Sequence, residues 1–253
     1  MAGEPSAPVR TRPSGRVWLV ALCAVSIIVF LAIVLPGVFD LKHAKRSYVV
    51  SEPVKRLAID SKGTVKIDIS PSHDGRVHVQ RTSAISKDSR LIERHQLSGT
   101  TLMLKSSCTG SRFGVLRRCD LHYHVQAPAR VALSIHLHLG IAKVHGFRGR
   151  LDFRADAGDF VGAGCSRQAY LSLGWGHIDF TDACTPAVIR VRTKAGNIVL
   201  TVPEGRYAVN ATTHYGNGIQ RPFENIIEDT AAPNKIDVDV KWGGSIRIHG
   251  ASS

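Results

Sequence analysis

Residues Ala187–Val202 read "AVIRVRTKAGNIVLTV": apolar and polar side chains alternate, break at Ala195-Gly196-Asn197, and then alternate again. Period-two alternation marks a half-buried strand, because successive side chains point to opposite faces. Gly-Asn supplies the positive φ that a tight corner needs. Working outward from Gly196, similar glycines stand at Gly140, Gly158, Gly176, Gly216 and Gly243, spaced 18, 18, 20, 20 and 27 residues apart. Seven, five and three residues before each glycine lie three columns, of which Ile189, Val191 and Thr193 are the Gly196 members. Sixteen of the eighteen positions are apolar and the other two are threonine, where the chain's 43% apolar content would give about eight. The columns between them, such as Arg190 and Arg192, are polar. A short second strand follows most of the glycines, as in Ile178-Asp179-Phe180 and Ile198-Val199-Leu200.

A unit repeated at fixed spacing buries its apolar face by stacking on its neighbours. The pattern predicts an all-β chain folded as a flattened β-solenoid, with coils of 18–20 residues. A β-sandwich of hairpins is the structural alternative. Cys165 and Cys184 fall seven and eight residues after Gly158 and Gly176, equivalent places on adjacent coils. Strands about 4.8 Å apart fall within the Cα range of a disulfide, so these two are expected to be bonded. Cys108 and Cys119 close a separate loop, "CTGSRFGVLRRC".

Before the repeats, Val17 to Phe39 holds no charged residue, and about 20 apolar residues suffice to cross a bilayer. The expected organisation is a cytoplasmic tail over 1–16, a transmembrane helix over 17–39, a juxtamembrane linker over 40–52 and an extracytoplasmic domain over 53–253, with a cleaved signal peptide as the competing reading of the apolar run. Arg10, Arg12 and Arg16 precede the span, while Lys42, Lys45 and Arg46 follow it, so flanking charge hardly decides orientation. The even number of cysteines beyond the span favours an oxidising compartment for the C-terminal domain. A single-pass cell-membrane protein with its N-terminus inside follows, held by membrane lipid.

The 253-residue chain carries a formal charge of +13. Three arginines and one glutamate lie in the first sixteen residues, which leaves about +11 for the rest. Such an excess favours anionic partners, here an envelope glycan or lipid. Aromatic residues are too few and scattered for a base-stacking platform, so nucleic acid is not an expected partner.

The rungs "DAGDF", "GWGHI", "KAGNI", "HYGNG" and "WGGSI", led in by "CDLHYHVQAPARVALSIHLHLG", resemble the bacterial putative-adhesin domain family over roughly residues 55–249. Members repeat a Ser-Gly-Asp-Val-like rung. The aspartate after the glycine survives here only at Asp159, with Ile141, His177, Asn197, Asn217 and Gly244 in its place elsewhere. The resemblance implies a membrane-attached extracytoplasmic β-solenoid, and it carries over no catalytic residue.

Candidate ligand-binding residues are Arg154, Lys194, Lys241 and Trp242 on an outward strip, and Arg112, Arg117 and Arg118 in the Cys108–Cys119 loop. Trp175, Tyr215 and Trp242 each precede a repeat glycine, either capping corners or offering platforms to sugar rings. His122 with His124, and His136 with His138, share strand faces and could furnish imidazole ligands to a metal, or simply form a solvated face. Asp152, Asp156, Asp237 and Asp239 are the carboxylates that a polysaccharide-active enzyme would require. No Gly-x-Ser-x-Gly, zincin or P-loop pattern accompanies them, and no cofactor is expected. The reading is therefore a non-catalytic cell-envelope interaction module. A sensor of envelope state acting through a partner membrane protein is the alternative, and an enzyme is third.

Overall fold

A computed structural model describes residues 22–29, 41–87, 89–110, 119–215, 218–220 and 223–251. The chain divides into two units, Met1–Leu41 and Lys42–Ser253. In the first, residues 22–29 are helical and exposed. No helix among the described residues is long and apolar enough to cross a membrane. The remainder of the expected 17–39 span lies outside the described residues.

The second unit is mostly β. It opens with β1 (Leu41–Val50), β2 (Arg56–Pro71), β3 (Val77–Ser86), β4 (Ser89–Ser98), β5 (Thr101–Gly110) and β6 (Cys119–Ala127). Four long strands follow: β7 (Ala132–Phe147), β8 (Leu151–Gly164), β9 (Gln168–Asp182) and β10 (Val188–Pro203). The last part holds β11 (Gly205–Thr213), β12 (Gly218–Ile219), β13 (Ile226–Glu228), β14 (Lys235–Val240) and β15 (Ser245–Ala251). All fifteen belong to one mixed sheet.

Strands β7 to β10 pair in parallel and in register, so that Gly140, Gly158, Gly176 and Gly196 line up. Parallel neighbours cannot be joined as hairpins, which removes the hairpin-sandwich alternative for these strands. In β10 the buried positions are Ile189, Val191 and Thr193 before the glycine and Ile198, Leu200 and Val202 after it. Thr193 and Ile198 are an odd number of residues apart, so in a straight strand they would face opposite ways. The corner at Gly196, with φ of 139°, reverses the phase and turns both halves onto one core. An added Cβ at Gly196 would lie 1.7 Å from the carbonyl oxygen of Gly176, which leaves hydrogen as the only side chain that fits. Inside, Phe160 packs on Phe153 and Phe180 at centroid distances of 4.6 and 6.3 Å. Gly162 leaves the inward space these rings fill. Burying each such ring contributes roughly 1.5–3 kcal/mol.

Stacking in chain order holds as far as β10. There β14 and β15 slot in between β10 and β11–β12. Polar pairing on both sides of β14 accompanies this order. Asp237 and Asp239 on β14 sit between the two neighbours: Arg190 donates to Asp237 at 3.0 Å, while Asn210 and Thr212 donate to Asp237 and Asp239. At this rung the corner also gains a residue. Ile189 aligns with Ile236 but Ile198 with Ile246, and Gly244 rather than the expected Gly243 lies over Gly196. Gly216 lies outside the described residues.

At the other end β2 forms a further rung, pairing with β7 through Leu57, Ile59, Ile67 and Ile69. Strands β5 and β6 cover its two halves in parallel, with the Cys108–Cys119 bond across their corner at a Cα separation of 6.4 Å. Antiparallel β4 and β3 then close the stack, and β1 pairs with β3. Within residues 40–52, expected as a linker, Leu41–Val50 form a strand. Strand β1 left no alternation to read in the sequence, because it is exposed along most of its length and, among the described residues, meets the core through Tyr48 and Val50. Under this cap the Arg81 guanidinium donates to Glu93 at 2.9 Å, and the Tyr123 hydroxyl donates to the same carboxylate at 3.0 Å. Tyr48 stacks on His95, and its hydroxyl is pushed up to about 12 by burial and by the Glu93 charge.

Cys165 and Cys184 are bonded, with Cα atoms 4.8 Å apart, as adjacent rungs require. Beside them the buried Asp182 accepts from the backbone N–H groups of Ser166 and Cys184 and from the Ser166 hydroxyl. Burial pushes its carboxyl above the ordinary range despite those donors.

Candidate functional site

The outward face of the pre-corner half of the stack is a grid. One column runs His136, Arg154, Ser172, Arg192 across β7, β8, β9 and β10. On β9 the outward side chains next to the corner are small, Ser172 and Gly174, while both neighbouring strands carry long cations. The result is a groove of about 450 Å³ floored by Ser172 and Gly174. Arg154 and Asp156 form one wall, Arg192 and Lys194 the other, and Lys241 and Trp175 also line it. Gly174 is needed because an added Cβ would sit 2.0 Å from the Asp156 carbonyl oxygen.

Charge is unevenly spent around this groove. Arg154 pairs with Asp152 at 3.2 Å, and Asp156 with His138 at 2.6 Å. Asp239 lies 3.4 Å from His214 and accepts from Thr212. Arg192, Lys194 and Lys241 make no ion pair among the described residues, and all three are exposed. Three uncompensated cations around a concave floor suit an anion.

Of the sequence candidates, Arg154, Lys194 and Lys241 come together here. Trp242 is not among the groove-lining residues but stands at the same corner, its backbone N–H donating to the Lys194 carbonyl. Arg112, Arg117 and Arg118 lie outside the described residues. Arg192, Ser172 and Gly174 were not singled out from sequence. The available signal was a pair of small outward residues, Ser172 flanked in its column by Arg154 and Arg192, and Gly174 flanked by Asp156 and Lys194.

The histidine pairs are not brought together as a metal centre. His122 and His124 lie on the post-corner half of the stack, and His136 and His138 on the pre-corner half. Aspartates take up most of them: His122 meets Asp68 at 2.6 Å, His138 meets Asp156, and His136 lies 3.9 Å from Asp60. Among the described residues no group of three or more His, Cys, Asp or Glu is placed to hold a metal. The aspartates proposed for acid–base chemistry are likewise engaged: Asp152, Asp156 and Asp237 by arginine or histidine, Asp239 by Thr212 and His214.

No family model matches the sequence, and no curated protein matches it. Solved structures do. A putative cell adhesion protein from Clostridium sporogenes superimposes with a TM-score of 0.51 at 14% identity, covering 83% of this chain and 100% of that one. The protein is structurally similar to bacterial putative adhesins. A putative adhesin from Bacteroides fragilis aligns over 82% of this chain and 97% of its own, at 13% identity and a TM-score of 0.43. At such identities the likeness is one of fold, and the groove has to be read from this chain's own residues.

Proposed function

We propose that this protein is a single-pass membrane protein whose C-terminal unit is a flattened β-solenoid displayed outside the cytoplasm. In this reading it is a non-catalytic module that binds an anionic component of the cell envelope. The uncharged run Val17–Phe39 supports the anchor. Two disulfides and the adhesin-like fold support an extracytoplasmic location. Parallel rungs related by one repeating register support the solenoid.

The observation that carries the binding function is the cluster of Arg192, Lys194 and Lys241, three cations around one groove that make no ion pair among the described residues. Cations of this kind bind polyanions in a salt-dependent way, screened beyond a Debye length of about 8 Å at physiological salt. The test uses the full chain in detergent micelles, titrated with isolated anionic envelope polymer and with anionic lipid vesicles at rising salt. Binding should fall steeply as salt rises. Changing Arg192, Lys194 and Lys241 together to serine should weaken it about tenfold or more, with little change in stability, because exposed charges contribute little to folding. Salt-insensitive binding, or none to any of these ligands, would falsify the reading.

A further inference from the structure

The corner itself carries a second pattern, independent of charge. Register places Ala157, Trp175 and Ala195 in one column across β8, β9 and β10. The column continues to Trp242, whose backbone N–H follows that of Lys241 along the β10 ladder, and then to Tyr215 beyond β14. Trp175, Trp242 and Tyr215 are 61%, 67% and 73% exposed, so they do not act as buried corner caps. Along the stack the column reads Ala, Trp, Ala, Trp, Tyr. Each tryptophan therefore stands beside an alanine, which leaves an open step between Trp175 and Trp242 floored by Ala195.

Adjacent rungs are about 4.8 Å apart. That is close to the length one pyranose ring adds to an extended, equatorially linked glycan. Such a chain turns over at each linkage and shows the same ring face at every second sugar. Trp175 and Trp242, two rungs apart, match this repeat. Lys194 and Lys241 immediately precede the column at Ala195 and Trp242, and Arg192 lies two residues further back. They are placed to meet a carboxylate carried on the sugars.

We propose that the ligand is a linear acidic glycan with carboxylated sugars. It lies across the strands along the stack axis, with Trp175 and Trp242 under alternate rings and Arg192, Lys194 and Lys241 at its carboxylates. This rests on the polyanion reading above and narrows it to one class of polymer.

The test titrates the full chain in micelles with β-1,4-linked mannuronate oligosaccharides from disaccharide to octasaccharide. Neutral cello-oligosaccharides, polyphosphate and phosphatidylglycerol vesicles run in parallel. Affinity for mannuronate should climb to about the tetrasaccharide and then level off. Trp175→Ala and Trp242→Ala should each weaken it about threefold to tenfold, in keeping with the strength of a stacked aromatic contact. Ala195→Trp should block the step and weaken binding at least as much, with an unchanged melting temperature showing that the fold is kept. Equal binding of mannuronate, polyphosphate and vesicles, unaltered by the three corner variants, overturns the glycan proposal and leaves the polyanion reading standing. If none of the anionic probes binds, both readings fall.

Discussion

The two halves of the C-terminal unit solve the same problem by different means. From β7 to β10 each rung is a copy of the last: a glycine sits over a glycine and an apolar column over an apolar column. Before β7 the repeat runs on for one rung, β2, with β5 and β6 parallel on its two halves, and then it stops. Strands β3 and β4 turn antiparallel, a disulfide loop joins β5 to β6 where the rungs have a glycine corner, and a buried ion pair lies beneath the closing strands. A stack of identical rungs has no intrinsic end, because each new rung offers the same open edge. Ending it requires a structure unlike the repeat, and here that structure sits at the N-terminal side. In the repeat, stability should depend on shape at the corners. In the cap it should depend on partnered polar groups.

The largest expected effect tests the corner. Gly176 has a φ of 136°, and an added Cβ would lie 1.7 Å from the Gly158 carbonyl oxygen. That oxygen cannot retreat, since Gly158 is packed against Gly140 in the same way. Gly176→Val should therefore cost about 4–6 kcal/mol from backbone strain and overpacking combined. Gly99, between β4 and β5, also has positive φ but nothing within 4 Å of a built Cβ. Gly99→Ala should cost only about 1 kcal/mol. Denaturant unfolding of both variants decides the matter. Similar losses at the two glycines would mean that rung contact adds nothing to conformational strain.

Next in size is the cap's ion pair. The Arg81 and Glu93 side chains are 4% and 13% exposed, and the Arg81 Nε has no hydrogen-bond partner among the described residues. Arg81→Ala should cost about 3–5 kcal/mol, because it leaves the Glu93 carboxylate buried and uncompensated. Arg81→Leu combined with Glu93→Leu should recover most of that loss, since an apolar pair needs no desolvation. If the double variant is as unstable as the single one, the cap is held by the attraction of the pair itself and not by the avoidance of a lone charge.

The same contrast explains what could be read from the sequence. Repetition made the glycine corners legible, and with them the inward columns and the Cys165–Cys184 bond, because each rung confirms the phase of its neighbours. It could not order the last rungs. Ile189, Val209 and Ile236 satisfy one column equally well, so the pattern is blind to whether β11 or β14 follows β10. What marks the observed order is side-chain pairing across it, Arg190 with Asp237 on one side and Thr212 with Asp239 on the other. Strand β1 was illegible because it meets the core at few points. The groove escaped for a further reason: it is made of what β9 lacks at Ser172 and Gly174, and a small side chain becomes a floor only when the register of its neighbours is known.

The smallest effect lies at the seam between repeat and cap, where Asp68 of β2 meets His122 of β6 at 2.6 Å and Lys66 at 3.7 Å. Burial pushes the Asp68 carboxyl up, but the His122 hydrogen bond and the Lys66 charge outweigh it and hold the group below the ordinary carboxylate range. A carboxyl depressed in the folded state stabilises the fold above its unfolded pKa, and that contribution is lost as pH falls through the folded value. His122→Ala should therefore cost less than about 1 kcal/mol near neutral pH, as is usual for a partly exposed pair. The difference from the parent should shrink to nothing below the carboxylate range, where Asp68 is protonated in both proteins. In an NMR titration the Asp68 carboxyl should move up toward its ordinary value when the imidazole is removed. A stability difference that persisted undiminished in acid would place the role of His122 in packing against β2. The seam would then be held by shape, as the repeat is, and the boundary between the two modes of construction would move one strand toward the N-terminus.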